Sequence, residues 1–216
     1  MNPFLAPGRF VDSDHPAVVA FAREHAKGAT PRERAVALYY AVRDGVRYNP
    51  FLDYSREDAF RGSHCLAAGE GFCIGKAALL AAAARADGIP ARVGFADVKN
   101  HLTTPALRER MGSDLFVYHG YAELHLEGKW VKATPAFNIE LCRRFKVKPL
   151  EFDGREDSIF HAFDEDERRH MEYLRDRGTY ADVPAEEIMR VFRESYPVLY
   201  RSGASAPRAG AEERFG

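Results

Sequence analysis

The segment from Gly71 to Arg92, GFCIGKAALLAAAARADGIPAR, limits the fold more than any other part of the chain. Alanine dominates it, and alanine is the strongest helix former. Gly88 falls just past the run and Pro90 comes two residues later, which is a helix stop. Cys73 therefore falls in the first turn of a helix of about four turns. Nearly every side of that helix is apolar or small, so it reads as buried. Unpaired N–H groups and the helix dipole at such a tip stabilise an anion, and they lower a thiol from its free pKa of about 8.5. Cys73 is thus placed to be a nucleophile. The competing reading is that it only fills space, as most free cysteines do. Lys76 invites a phosphate-loop reading, which fails on spacing. Gly71 and Gly75 are separated by three residues where the motif needs four, and Ala77 stands where Ser or Thr is required.

A length of 216 residues implies one domain, or one with an appendage. With 31 basic and 32 acidic residues there is no broad electrostatic case for nucleic acid or an anionic membrane surface. The opening MNPFLAPGRF lacks a charged segment followed by an apolar run, and no stretch is long enough to span a bilayer. Three cysteines, at spacings of eight and sixty-nine, do not make a disulfide framework. A reducing cytoplasm is the expected location.

Read in order, the chain opens with an irregular stretch and a short amphipathic helix from His15 to about His25. Thr30-Pro31-Arg32-Glu33 is a helix start with a capping box, and Ala35, Leu38, Tyr39 and Val42 line one face of that helix. Tyr48 to about Ala68 reads as loop with one short helix near Ser55–Phe60. After the Cys73 helix the period changes. Ala91–Val98 is strand-like, and Lys99–Ser113 is expected to cross the surface. Tyr118–Leu126 and Lys129–Ala133 form a hairpin about Glu127-Gly128. Ala122, Leu124 and Leu126 share one face of it; His119, Tyr121, Glu123 and His125 share the other. Ile139–Lys146, Asp164–Arg177 and Pro184–Glu194 read as helices. The expected organisation is a core over residues 1–150, a helical appendage over 151–201 and a disordered tail over 202–216.

A cysteine nucleophile needs a base and a group to orient that base. Of eight histidines, His119 stands out because it opens a hairpin strand at the edge where a helix tip can approach. A lone strand histidine is also often structural. His64 adjoins Cys65, but sequence neighbours rarely face each other as a dyad must. His64, Cys65, Cys73 and His119 could be imagined around zinc, yet no C-x-x-C pair supports a site.

Gly71-Phe72-Cys73, the alanine-rich helix, Gly88-Ile89-Pro90-Ala91-Arg92, and His119-Gly120-Tyr121 running to Trp130-Val131 together resemble the core of the transglutaminase-like superfamily. The resemblance covers about residues 10–138. It implies an α+β, papain-like fold in which the nucleophile helix packs on an antiparallel β-sheet. It also implies catalytic roles for Cys73 and His119 on a peptide or amide substrate, with no cofactor and no metal. Family members include cross-linkers, amide hydrolases and inactive relatives, so a silent binding module is the alternative. The family's third catalytic residue is an aspartate before proline; Thr134-Pro135 stands here. Hairpin register places His119 opposite Ala136, with Thr134 and Asn138 as its diagonal neighbours. Either could accept a hydrogen bond from the imidazole. Tyr48 and Asn49 are further candidates for an oxyanion donor.

The tail from Ser202 is rich in glycine, alanine and charge and cannot bury apolar surface. Truncation after Arg201 should move the melting temperature by no more than about two degrees, as exposed segments contribute little. A larger drop in a calorimetric scan would show that the tail docks.

Overall fold

A computed structural model describes residues 2–100, 108–109, 111–159 and 171–197. Helix α1 spans Pro16–His25 and helix α2 spans Pro31–Gly45. The expected capping box starts α2: Thr30 accepts from the Glu33 N–H, and the Glu33 carboxylate takes the Thr30 N–H. Strand β1, Arg47–Tyr48, pairs in parallel with β2, Glu70–Gly71, just before the cysteine. A 3₁₀ turn over Glu57–Phe60 corresponds to the short helix expected there. Helix α3, Gly62–Ala68, falls in a stretch expected to be loop. Seven residues are too few for a helical period to show in sequence. The helix forms because it packs on the long helix next in the chain.

That long helix is α4, Cys73–Ala86, and every residue from Cys73 to Arg85 is buried. One side of α4 packs on a four-stranded sheet and the rest is covered by α1, α2 and α3. Its alanines make this possible: small side chains let neighbouring backbones approach on all sides. The sheet contains β3 (Ala91–Asn100), β4 (Leu115–Leu126), β5 (Lys129–Ala133) and β6 (Met171–Tyr180), in the order β5-β4-β3-β6 with all neighbours antiparallel. The β4–β5 register is the expected one, running from Leu126 opposite Lys129 to Ala122 opposite Ala133. Ala122, Leu124 and Leu126 enter the main core beneath the sheet. On the outer face Arg92 pairs with Glu123 at 2.6 Å and lies over the Trp130 ring.

Strand β6 corrects the helix expected over Asp164–Arg177. The stretch from Met171 is a sheet edge, so the segment expected to be a helical appendage also supplies a strand to the core sheet. Its dense charge reflects exposure at that edge, and two register shifts against β3 twist it. Helices α5, Ile139–Phe145, and α6, Ala185–Ser195, lie where helices were expected. The surface excursion expected over Lys99–Ser113 and the tail over 202–216 fall largely or wholly outside the described residues. Among the described residues, no helix is long and apolar enough to cross a membrane.

Lys76 is the anomaly in α4. It is fully buried, and its Nζ donates to the carbonyls of Arg43 at 2.9 Å and Val46 at 2.5 Å. It thereby caps the C-terminal end of α2, where carbonyls lack helical partners. Burial holds the amine down at about 7, from an ordinary 10.5. Between those values the unfolded chain binds a proton that the folded chain lacks, so this group adds stability as pH rises. Lys76→Met removes the titration. The stability of the natural protein relative to that variant should therefore increase between pH 7 and pH 10 in urea titrations. A pH-independent difference would show that Lys76 keeps its charge when buried.

Candidate active site

The site is built on the first turn of α4. Phe72, in extended conformation, is its N-cap, and β2 holds the preceding residues against β1. The backbone N–H groups of Gly120, Ile74 and Cys73 all act on the Cys73 sulfur in the direction that favours the thiolate. Gly120 is required for this arrangement. A Cβ added there would stand 2.9 Å from the Ile74 Cα and 3.2 Å from its nitrogen. Only glycine allows β4 to cross so close to the helix tip.

His119 precedes that glycine and comes just after an irregularity in β4. Ala96 pairs with His119 but Val98 pairs with Phe116, so β4 carries an extra residue. Tyr118, within this bulge, has a φ of +54°, a costly conformation for an aromatic residue. Its N–H donates to Asp97 Oδ1 at 3.1 Å and its hydroxyl to Glu187 at 2.6 Å. Arg177 of β6 forks onto the same Asp97 carboxylate, at 2.7–3.0 Å. This network holds the backbone from which His119 projects.

Cys73 and His119 line one cavity with Tyr48, Tyr54, Phe192 and Tyr196 among its walls. Its volume is about 20 Å³, room for one water and no more. Enclosure has an electrostatic cost. Burial pushes the Cys73 thiol up to about 11 despite the three N–H groups. The helix tip alone was expected to lower it; desolvation outweighs the tip in this closed state.

The remaining candidates lie as follows. The β4–β5 ladder ends at Ala122–Ala133, so His119 and Ala136 do not pair. The Thr134 N–H turns instead to the Ser158 carbonyl at 2.9 Å. The Thr134 hydroxyl is buried without a hydrogen-bond partner among the described residues. Asn138 is buried and engaged elsewhere, accepting from the Tyr48 N–H at 3.1 Å and donating to Glu140 at 2.8 Å. Tyr48 and Asn49 therefore offer no spare backbone donor, since the Asn49 N–H is taken by the Gly71 carbonyl. His64 and Cys65 border a separate cavity of about 220 Å³ with Asp58 and Glu70. Among the described residues, no three His, Cys, Asp or Glu side chains gather as metal ligands would. Asp97, Arg177 and Tyr196 escaped the sequence reading, because bulges and long-range contacts leave no local pattern.

The chain falls in a known class. The pattern of the transglutaminase-like superfamily matches residues 19–135, more than half of the chain, and the protein belongs to that superfamily. Its architecture is accordingly α+β, with a papain-like, transglutaminase-like core. Two solved structures align with parts of the chain. The "putative cysteine protease" of Cytophaga hutchinsonii is 18% identical at a TM-score of 0.49, over 83% of this chain and 46% of that one. The "putative protease" of Parabacteroides distasonis ATCC 8503 is 17% identical at a TM-score of 0.39, over 54% of this chain and 22% of that one. The chain thus spans less than half the length of either. No curated protein matches its sequence significantly.

Cys73 is 8% exposed, against 2% for Cys65 and 1% for Cys142. Burial pushes the Cys65 thiol up to about 12, with Lys76 opposing that rise only in part. Brief iodoacetamide treatment of the folded protein at pH 7 should modify Cys73 first, as peptide mapping would show. Gly120→Ala should slow that labelling and destabilise the fold by about 1–3 kcal/mol, the usual range for overpacking. Faster modification of Cys65 or Cys142 would overturn the assignment of the nucleophile.

Proposed function

We propose that the protein is a cysteine-dependent enzyme acting on an amide or peptide carbonyl, by hydrolysis or acyl transfer. The observation that carries this reading is the sharing of one cavity by Cys73 and His119, with Cys73 in the first turn of the buried helix α4. In the first half-reaction the Cys73 proton passes to His119 as sulfur bonds to the carbonyl carbon. The C–N bond then breaks, and His119 returns the proton to the departing amine. In the second, water or another amine adds to the thioester and gives its proton to His119. The C–S bond breaks and Cys73 recovers that proton. Backbone N–H groups at the helix tip, including that of Cys73, are suited to hold the oxyanion in both steps.

The third position is the weak element of this dyad. Thr134 replaces the family aspartate and carries no charge to stabilise imidazolium. Its hydroxyl has no other described partner, whereas the Asn138 amide holds Tyr48 and Glu140, so Thr134 is the better candidate to orient His119. A thiol depends less on such a group than a serine hydroxyl does, because a few per cent is already thiolate at neutral pH. The Thr134 substitution also supports a second reading, a binding module that has kept the fold and lost catalysis. A covalent acyl adduct on Cys73, detected by mass after exposure to a panel of peptides and amides, distinguishes the two.

Thr134→Asp should strengthen the dyad. A carboxylate beside the imidazole favours its protonated form and raises its pKa by about 1–3 units, which extends the ion pair with Cys73 to higher pH. Faster alkylation of Cys73 near pH 7 is expected, with a smaller change in Asn138→Ala. A collapse of reactivity in Asn138→Ala, with no response at Thr134, would make asparagine the orienting group. Silence in both, and in His119→Ala, would leave the binding module as the better reading.

A further inference from the structure

Strand β5 covers β4 only from Ala122 to Leu126, so among the described residues no strand lies beside residues 115–121 on that edge. The Asp114 carbonyl accepts from the Asn100 N–H on β3, and backbone groups alternate in direction along a strand. The polar groups of Leu115 and Val117 consequently point to the uncovered side. The Leu115 N–H donates to Ser113 Oγ at 2.9 Å, while the Leu115 carbonyl and the Val117 N–H are both met by one side chain. The Val117 N–H donates to the Tyr196 hydroxyl at 2.7 Å, and that hydroxyl donates to the Leu115 carbonyl at 3.1 Å. A single hydroxyl here does what the C=O and N–H of one residue in an added strand would do.

Tyr196 comes directly after α6 and is 1% exposed. With Phe192 it forms part of the wall facing Cys73. Phe192 lies against the Tyr54 and Phe60 rings, with centroids 5.5 and 6.4 Å away, while Arg190 and Glu194 of the same helix are exposed. Helix α6 is therefore laid over the site by its apolar face. The cavity left beneath it has room for a water and not for an amide substrate, so withdrawal of this wall would widen access to Cys73.

We infer that the β4 edge at Leu115 and Val117 is the docking edge for an extended peptide backbone, and that Tyr196 occupies this edge in the closed state. The inference rests on the catalytic reading of Cys73 and names its substrate class as polypeptide rather than small amide. A peptide that displaces Tyr196 restores both hydrogen bonds with its own N–H and C=O, as in β-strand addition elsewhere. A small amide has no extended backbone with which to do so. Withdrawal of Tyr196 and Phe192 also readmits water to the thiol, which removes the burial that opposes its ionisation.

The test compares three thiol probes on the full chain: iodoacetamide, a benzyloxycarbonyl-trialanyl fluoromethyl ketone, and the same ketone with its peptide nitrogens methylated. The unmethylated ketone should label Cys73 about tenfold faster than the methylated one, because methylation removes the strand-forming donors. Tyr196→Phe should raise the rate with the unmethylated ketone several-fold more than the rate with iodoacetamide. Equal rates for the two ketones in both proteins, with Cys73 still open to iodoacetamide, would overturn the docking edge and leave the thiol chemistry standing. No labelling of Cys73 by any probe would overturn the catalytic reading and the docking edge with it. Circular dichroism checks that Tyr196→Phe is folded; where it is not, the two ketones on the natural protein decide alone.

Discussion

The structure depends on complete burial of one alanine-rich helix. Burial of α4 from Cys73 to Arg85 requires a sheet on one side and helices on the others, and it gives the domain a single continuous core. Large side chains could not occupy every face of α4 at this spacing, and an alanine helix without such packing would be only marginally stable in water. The same burial fixes the tip of the helix against β4. Gly120 is the contact point: its missing side chain lets the strand pass against Ile74, the residue after Cys73. Core and site are thus one design, since the forces that pack α4 also aim its first turn.

Two opposing effects act on the thiol at that tip. Backbone N–H groups favour the anion; exclusion of water disfavours it, and in the closed state exclusion is larger. The N–H groups belong to the rigid frame of α4 and β4. The exclusion comes partly from side chains that are not part of that frame, Phe192 and Tyr196, brought by a helix near the end of the described chain. Opening that wall would change the second effect and leave the first untouched. A reactive thiol can therefore be stored neutral in a fold that already holds the donors needed to ionise it.

Local chemistry made much of this legible in the sequence. The Thr30–Glu33 capping box, the alanine run with its glycine stop, and the Glu127-Gly128 hairpin each declare themselves within a few residues, and each forms as read. The elements that were missed draw their stability from distant partners. Strand β6 contains Glu172, Arg175, Asp176 and Arg177, and its charge reads as a solvated helix; pairing with β3 makes it a strand. Helix α3 is too short to show a period. Cys73 was legible at a helix tip, a local feature; His119 was expected to open its strand, whereas β4 begins four residues earlier, at Leu115. The bulge at Tyr118, held by Asp97 and Arg177, was not legible, and neither was the end of the ladder at Ala133, which keeps Ala136 from pairing with His119.

The closed wall also bears on how strong a missing carboxylate needs to be. Each of the two hydrogen bonds made by Tyr196 contributes about 1 kcal/mol net, and together they would favour closure by a factor of about thirty. Burial of the Tyr196 and Phe192 rings adds to this. A substrate that engages only the open form has its apparent affinity reduced by the open fraction. On the proposal above, a peptide recovers most of that cost by remaking the same two bonds. Discrimination among substrates then resides at the edge of β4, two to four residues before His119, and not in the strength of the base. Under that arrangement an uncharged Thr134 is tolerable, because access to Cys73 is set by whatever can replace Tyr196.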